Sequence, residues 1–347
     1  MDLFHCDYNE GAHPKVLEAL VTTNLLQTPG YGADSFCEDA REKIRTACNA
    51  PEAAVHFLVG GTQTNTIVIN AALRPYQGVL CADTGHINVH ETGAIEATGH
   101  KVLPLPSYSG GKISAEEIRK ALKAHFTDLC AEHMVQPGMV YISHPTEYGA
   151  LYTLDELTAI HSVCREYSVP LFVDGARLGY ALAADGTDVA LPDLARLTDV
   201  FYIGGTKVGA LFGEAVVISS SALDHDFRYL IKQHGALLAK GRLLGVQFGT
   251  LFTDNLYQHI SRHAIECAYR VRNIFLKNGY PMLFDSPTNQ QFPILPDEEY
   301  SELEKTSQGE FWARVDDTHV AIRYCTSWAT TKEAIDRLEA AVTALKK

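Results

Sequence analysis

The sequence lacks the features of a disulfide-stabilised or zinc-binding protein. Its eight cysteines are scattered along the 347 residues, and no two of them form a Cys-x-x-Cys pair. This scatter is typical of reduced thiols in a cytoplasm, which is the location we expect. The pairs His86/His90 and His259/His263 have helical spacing, but neither has an obvious third ligand. We therefore expect no metal.

Long apolar runs and an excess of basic residues are missing as well. No apolar run reaches membrane-spanning length, and the first residues lack a basic region followed by an apolar one. The net charge of −13 argues against a nucleic-acid or membrane partner. The absence of a Walker motif and of G-x-G-x-x-G argues against a nucleotide-phosphate loop. The composition, 46% hydrophobic and 20% charged, is that of a globular protein with a substantial core.

What the sequence does contain is an alternation of short apolar runs with amphipathic stretches. Seven runs predict strands, at 54–59, 79–82, 101–105, 139–143, 170–174, 199–203 and 214–219. Helical stretches at 114–129 and 154–167 each begin with a capping box. This alternation predicts an α/β fold with a mainly parallel seven-stranded sheet and helices on both faces.

The pattern changes after about residue 222. A long helical region from 224 to 277, broken near Asp254, leads into a mixed segment and a last helix at 331–346. We predict an N-terminal arm (1–15), a large domain (16–232), and connecting helices with a smaller α+β domain (233–347).

One lysine stands between two of the predicted buried strands. Lys207 lies in the segment GGTKVG, which joins the strands at 199–203 and 214–219. Burial favours the neutral amine, and a neutral amine is a nucleophile that forms a Schiff base with an aldehyde. The alternative is a loop lysine that faces solvent, so the decision depends on the other strand ends.

Three other strand ends carry groups that suit a single cofactor. A strand runs into a helix through Gly60, Gly61 and Thr62. Free N–H groups at such a helix start bind phosphate. Asp174 ends a buried strand, where its charge needs a partner: either Arg177 or the protonated nitrogen of a bound pyridine. His86, which follows another strand, offers a flat ring. Because ligands of open α/β sheets bind at the carboxyl ends of strands, we expect these groups to converge.

Together these groups meet the requirements of pyridoxal phosphate (PLP). The cofactor needs an amine to hold its aldehyde, a carboxylate beside its ring nitrogen, a helix start for its phosphate and a flat group against its ring. Lys207, Asp174, the segment 60–62 and His86 supply one of each. We count Thr206, the neighbour of the lysine, among the cofactor-binding residues.

On these motifs the chain resembles the low-specificity L-threonine aldolases, which are fold-type I PLP enzymes. The resemblance covers nearly the whole chain and rests on segments at 61–65, 174–177 and 322–328 together with His86 and the lysine segment. It implies that Asp174 pairs with the pyridinium nitrogen and that His86 stacks on the ring. It further implies that Arg323 helps to bind the substrate carboxylate, with Arg177 near the same anionic groups.

The same resemblance implies a homodimer or homotetramer with active sites at the dimer interface. Tyr31, which lies between two glycines in a loop, or Lys232 would then serve the partner subunit. Two departures leave the substrate preference open. The family opening Ser-Asp-Thr is Cys6-Asp7-Tyr8 here, and the lysine segment differs from the commoner Ser-x-x-Lys-Gly.

The expected reaction is aldol cleavage of a β-hydroxy-α-amino acid, such as L-threonine or L-allo-threonine, into glycine and an aldehyde. His86, directly or through a water, is our candidate for the base that takes the β-hydroxyl proton. Glu147 is the reserve candidate, although we interpret it first as a solvated loop acid. Racemisation or β-elimination by a related PLP enzyme is the alternative. A catalytically silent PLP-binding protein is another, but Lys207, Asp174 and Arg323 are all present.

Overall fold

The computed structural model describes residues 1–346 of the chain. Lys347, the last residue of the predicted 233–347 domain, lies outside the described residues. The chain begins with strand β1 (Asp2–Leu3), followed by helices α1 (Pro14–Thr23) and α2 (Ser35–Ala47). Pro14 opens α1, where its missing N–H leaves no helical hydrogen bond unmade.

A seven-stranded sheet forms the centre of the fold and confirms all seven predicted strands. These are β2 (Ala54–Leu58), β3 (Gln77–Ala82), β4 (Lys101–Leu105), β5 (Gln136–Ser143), β6 (Leu171–Asp174), β7 (Val200–Gly204) and β8 (Glu214–Ile218). Their order is β2-β8-β7-β6-β5-β3-β4. Strand β8 runs antiparallel to both of its neighbours, and the other pairings are parallel. The sheet is therefore mainly parallel, as predicted.

Helices connect these strands and cover the sheet. They are α3 (Gly61–Ala72), α4 (His86–Val89), α5 (Ala115–Phe126), α6 (Leu154–Glu166), α7 (Leu178–Ala183) and α8 (Leu191–Leu197). Helix α6 begins with the predicted capping box, in which Thr153 and Glu156 bond each other's backbone N–H groups. One hydrophobic cluster packs α5 and α6 on one face of the sheet, and a second packs α3 on the other. Both faces are therefore buried, which explains why β7, and β6 up to its last residue Asp174, carry no charged side chain.

The region after the sheet contains one more break than the sequence predicts. Its helices are α9 (Ser221–Asp224), α10 (Phe227–Gln233), α11 (Arg242–Leu251) and α12 (Leu256–Lys277). The predicted break near Asp254 is confirmed, since Asp254 and Asn255 have φ of 50° and 54°. The prediction of an otherwise continuous helix is wrong, because the chain leaves α10 at Gly235 (φ 70°) and does not resume a helix until α11.

The C-terminal part forms a second, smaller sheet. Its elements are β9 (Gln290–Gln291), β10 (Ile294–Pro296), α13 (Asp297–Leu303), β11 (Ser307–Gln308), β12 (Glu310–Arg314), β13 (His319–Cys325) and α14 (Lys332–Ala344). Strand β13 pairs antiparallel with β9, β10 and β12. The N-terminal β1 pairs in parallel with β11 in a separate two-stranded sheet, so the arm is fixed to the C-terminal part of the chain. The predicted boundaries at residues 15 and 232 stay predictions. Within residues 1–346, no helix combines the length and apolarity needed to cross a bilayer.

Candidate active site

A cavity of about 290 Å³ opens at the edge of the large sheet where the parallel strands end. The segments that follow β2, β3, β5, β6 and β7 all contribute to its wall. It brings together the whole predicted cofactor-binding set: Gly60, Gly61, Thr62, His86, Asp174, Arg177, Thr206 and Lys207. The cavity therefore lies where ligands of open α/β sheets usually bind, beyond the carboxyl ends of the strands.

Asp174, the last residue of β6, is a buried carboxylate with four hydrogen-bond donors. The hydroxyls of Tyr141 and Tyr202 donate to it at 2.6 and 2.5 Å. The Asn65 amide and the Ala176 backbone N–H each donate at 3.0 Å. Burial raises the pKa of Asp174, but the nearby His86 and the tyrosine hydrogen bonds outweigh it and lower the pKa below its ordinary value. The group is therefore ionised at neutral pH.

Lys207 lies on the turn between β7 and the antiparallel β8. Its backbone carbonyl accepts a hydrogen bond of 2.5 Å from the Tyr180 hydroxyl, and Gly209 turns the chain with φ of 84°. Burial and the positive charge of Arg177 lower the pKa of the Lys207 amine. The amine lies 6.0 Å from the centre of the Tyr8 ring, at the wall of the cavity. The structure thus places the predicted nucleophile in a site that favours its neutral form.

The N-terminus of α3 offers an anion site on the same wall. Gly60 precedes the helix, and the first N–H groups of a helix have no intrahelical acceptor. A side chain at Gly60 would enter open space, since no heavy atom lies within 4 Å of the place that a Cβ would take there. At Gly61 a Cβ would approach the Tyr202 hydroxyl to 3.1 Å. The two glycines thus leave room for a phosphate to approach the backbone.

His86 is held by a chain of polar side chains behind it. Its Nδ1 lies 2.7 Å from the buried carboxylate of Glu91. The Asn65 amide donates to the same Glu91 oxygen at 2.7 Å and to Asp174 at 3.0 Å. An Nδ1–H that donates to Glu91 leaves Nε2 as an acceptor on the other side of the ring. The site therefore holds an oriented imidazole, connected through Asn65 to the carboxylate.

Arg177 is fixed by a residue of the N-terminal arm. Its guanidinium donates to Asp7 at 2.7 and 3.1 Å in a bidentate pair, and Asn289 donates to the same carboxylate at 2.9 Å. Burial raises the pKa of Asp7, but Arg177 and Lys207 outweigh it and bring the pKa to about 2. Asp7 therefore carries a negative charge that pairs with the Arg177 guanidinium and faces the Lys207 amine.

These groups fit PLP. One cavity offers an amine with a lowered pKa, an ionised carboxylate, a glycine-lined helix start and an oriented flat ring. Each corresponds to one requirement of the cofactor: its aldehyde, ring nitrogen, phosphate and ring face.

Comparison with known proteins gives the same answer. The sequence profile of the beta-eliminating lyase family matches residues 11–297. The chain belongs to the beta-eliminating lyase family. It is 30% identical over 346 residues to the low-specificity L-threonine aldolase of a Pseudomonas species, covering 99% of this chain and 97% of that one. The solved structure of the threonine aldolase of Leishmania major superposes with a TM-score of 0.95 at 44% identity, covering 100% and 99% of the two chains.

A more distant structure shows the fold alone. An aspartate aminotransferase variant of Thermus thermophilus has a TM-score of 0.72 at 14% identity, covering 99% of this chain and 91% of that one. Fold type I, the resemblance to threonine aldolases and the use of PLP by a carbon–carbon lyase are thus confirmed.

Two acidic residues at the cavity differ from what the sequence indicates. Glu147 is not a solvated loop acid, so that first interpretation is wrong. It lines the cavity and accepts hydrogen bonds from the His86 backbone N–H at 2.9 Å and the Ser143 hydroxyl at 2.7 Å, and burial raises its pKa. Glu214 was missed. It accepts from Thr206 at 2.7 Å and Gly205 at 3.0 Å, and burial raises its pKa to about 8.

Two residues predicted to bind substrate lie outside this cavity. Arg323 forms an ion pair with Glu310 on the small sheet. Tyr31 has φ of 60° and is 46% exposed, with the Lys232 amine 4.9 Å from its ring centre. A role for Tyr31 or Lys232 in a partner subunit's site stays a prediction.

Proposed function

We propose that this enzyme cleaves L-threonine or L-allo-threonine into glycine and acetaldehyde, and that the predicted residues carry the reaction. The observation that carries the proposal is the full-length similarity to proteins named threonine aldolases, at 30% and 44% identity. The cavity supports it, because every group that the cofactor requires faces one space. Among residues 1–346, Lys207 is the one lysine that lines the cavity, and its lowered pKa suits a nucleophile.

Lys207 would hold the cofactor covalently, with its phosphate at residues 60–62 and its ring nitrogen beside Asp174. When bound, PLP supplies a sink for the electron pair that is left when the Cα–Cβ bond breaks. Asp174 keeps a negative charge beside that ring because Tyr141 and Tyr202 donate to it. This charge is preorganised, so it needs no rearrangement as the reaction proceeds.

His86 is the proposed base for the β-hydroxyl proton. Its Nδ1 is committed to Glu91, so its Nε2 is the atom that receives the proton. The buried negative charge of Glu91 then stabilises the imidazolium that forms, in the manner of the acid in a catalytic triad. Glu147 binds the backbone of His86 and so contributes to the position of the ring.

Arg323 is the proposed partner of the substrate carboxylate. A bidentate arginine–carboxylate contact would fix the rotation of the substrate about Cα and so decide which bond to Cα is broken. Arg177 has a different role, because its guanidinium already makes a bidentate ion pair with Asp7. We infer that Arg177 contributes positive charge to the cavity from a fixed position.

The test is product analysis with PLP present. L-threonine and L-allo-threonine are each supplied to the enzyme, and glycine, acetaldehyde, 2-oxobutanoate and ammonia are measured. Glycine and acetaldehyde in equal amounts support the proposal. An oxo acid with ammonia would instead indicate elimination, and interconversion of enantiomers would indicate racemisation.

We further propose a cytoplasmic homodimer or homotetramer. All eight cysteines are free thiols, and all except Cys130 are buried, which suits a reducing compartment. Exposed apolar side chains gather near the first loop, including Val21 (75%), Leu25 (91%) and Tyr229 (76%). Light scattering of the purified protein tests the assembly, and a monomer that cleaves threonine would contradict it.

A further inference from the structure

Arg323 is already partly occupied by groups of the chain itself. Its Nη2 donates to the carboxylate of Glu310 and, at 3.3 Å, to the carbonyl of His5. Its Nη1 donates to the side chain of Gln290 at 3.1 Å. Within residues 1–346, its buried Nε has no hydrogen-bond partner. The Nε–H is therefore a buried donor without a partner, while Glu310 and the His5 carbonyl take up Nη2, the nitrogen beside it.

Glu310 is placed opposite Arg323 by the register of the small sheet. The two residues are direct cross-strand partners of β12 and β13. The arginine side chain is 12% exposed, whereas the Glu310 side chain is 47% exposed. An exposed carboxylate can turn into solvent at little cost, while the arginine stays where it is.

Two other contacts would hold Arg323 after Glu310 has turned away. The Trp312 ring lies 5.3 Å from the centre of the guanidinium, and Gln290 is a buried side chain. These contacts with Trp312 and Gln290 do not depend on Glu310, so they would keep the Arg323 side chain in place. Burial and the nearby His86 lower the pKa of His90, and the positive charge of Arg323 adds to this shift while Glu310 opposes it. Arg323 and Glu310 therefore lie within electrostatic range of the segment that carries His86.

We propose that Glu310 is an internal competitor for the substrate carboxylate, which must displace it from Arg323 to make a bidentate contact through Nε and Nη2. This inference rests on the proposed function, because it takes Arg323 as the carboxylate site. A planar guanidinium offers a carboxylate the adjacent N–H groups of Nε and Nη2, and Glu310 is already bonded to Nη2. Glu310 therefore sets the affinity for amino acids and leaves the bond-breaking step unchanged.

A purely structural role explains Glu310 less well. A cross-strand ion pair whose carboxylate is half-exposed contributes little to folding. The chain contains a comparable pair nearby, between Arg314 of β12 and Asp297, with side chains 52% and 43% exposed. That pair is the matched control, since Asp297→Asn removes the same charge from an ion pair with the same strand, β12.

The experiment compares the wild type with Glu310→Gln and Asp297→Asn, each loaded with PLP. The dissociation constant of glycine is measured by titration of the visible absorbance, and kcat and KM are measured with L-threonine. We expect Glu310→Gln to lower the glycine Kd and the threonine KM by about 3- to 5-fold, the equivalent of an exposed ion pair, with kcat within twofold. Asp297→Asn should leave all three constants unchanged.

An unchanged or higher glycine Kd in Glu310→Gln, with a melting temperature like that of the wild type, would overturn the inference. So would a wild-type Kd in Arg323→Gln, because the carboxylate would then bind elsewhere. The result also separates this inference from the proposed reaction. If Glu310→Gln binds glycine more tightly but no variant releases aldehyde from threonine, the proposed cleavage reaction is contradicted. The proposed competition between Glu310 and the substrate carboxylate is then still supported.

Discussion

Replacing Asp7 with asparagine should strongly destabilise the enzyme, although Asp7 lies on an arm near the chain terminus. Its carboxylate is fully buried and accepts hydrogen bonds from Nε and Nη2 of Arg177 at 2.7 and 3.1 Å. Removing one partner of a buried ion pair leaves the other charge without compensation, at a typical cost of about 3–5 kcal/mol. We therefore expect Asp7→Asn to lose about that amount of unfolding free energy at pH 7.

The pH dependence of this loss can be worked out from the pKa. The folded pKa of Asp7 is about 2, against an ordinary value of 3.8. The difference of about 1.8 units, at 1.36 kcal/mol per unit, corresponds to about 2.4 kcal/mol. Because the folded pKa is depressed, this stability is present above about pH 4 and is lost as the pH falls towards 2. The gap in unfolding free energy between wild type and Asp7→Asn should therefore narrow as the pH falls, by about half of that amount at pH 3.

The assay is denaturant unfolding at pH 7, 4 and 3, in the wild type, Asp7→Asn and the control Asp2→Asn. Asp2 lies on the same arm and makes a bidentate pair with Arg337, but the arginine side chain is 60% exposed. The control should therefore lose less than about 1 kcal/mol. A loss in Asp7→Asn no greater than in the control, or a gap that does not depend on pH, would refute this explanation.

Two further changes test the polar residues that line the site. Glu91→Gln should lower kcat/KM by about 10²-fold while PLP stays bound, because His86 loses the carboxylate that orients it; unchanged kinetics would show that Glu91 has no such role. Glu214→Gln should become more stable relative to the wild type as the pH rises from about 4.5 to 8. The raised folded pKa of Glu214 stabilises the wild type while the acid is protonated. This contribution to the wild type is lost as the pH rises through about 8. Melting temperatures at pH 6 and 9 measure this, and parallel shifts in both proteins would contradict it.

The large sheet could be predicted well because each of its seven strands contains a short apolar run between helical or turn segments. Buried parallel strands produce this pattern directly, and the rule about carboxyl ends then places Asp174, His86 and Lys207 together. The extra helix break after α10 was missed. A single glycine such as Gly235 also occurs inside continuous helices, so the sequence alone does not show that it ends one.

The contacts that support these residues could not be predicted in the same way. Asp7 meets Arg177 across 170 residues, and Asn65 meets Asp174 across 109. Such pairs depend on how the arm and the helices pack, and no local periodicity records that packing. Glu310 was missed for the same reason, since it meets Arg323 only through the register of β12 with β13.

The most direct test of the whole account is the release of glycine and acetaldehyde from L-threonine by the wild type, Lys207→Ala and Lys305→Ala, with PLP present. Lys305 is an exposed lysine, with a side chain 66% exposed, and serves as the control. We expect the wild type and Lys305→Ala to release glycine and acetaldehyde. We expect Lys207→Ala to lose both this activity and covalently held PLP. Threonine cleavage that survives in Lys207→Ala would contradict the account.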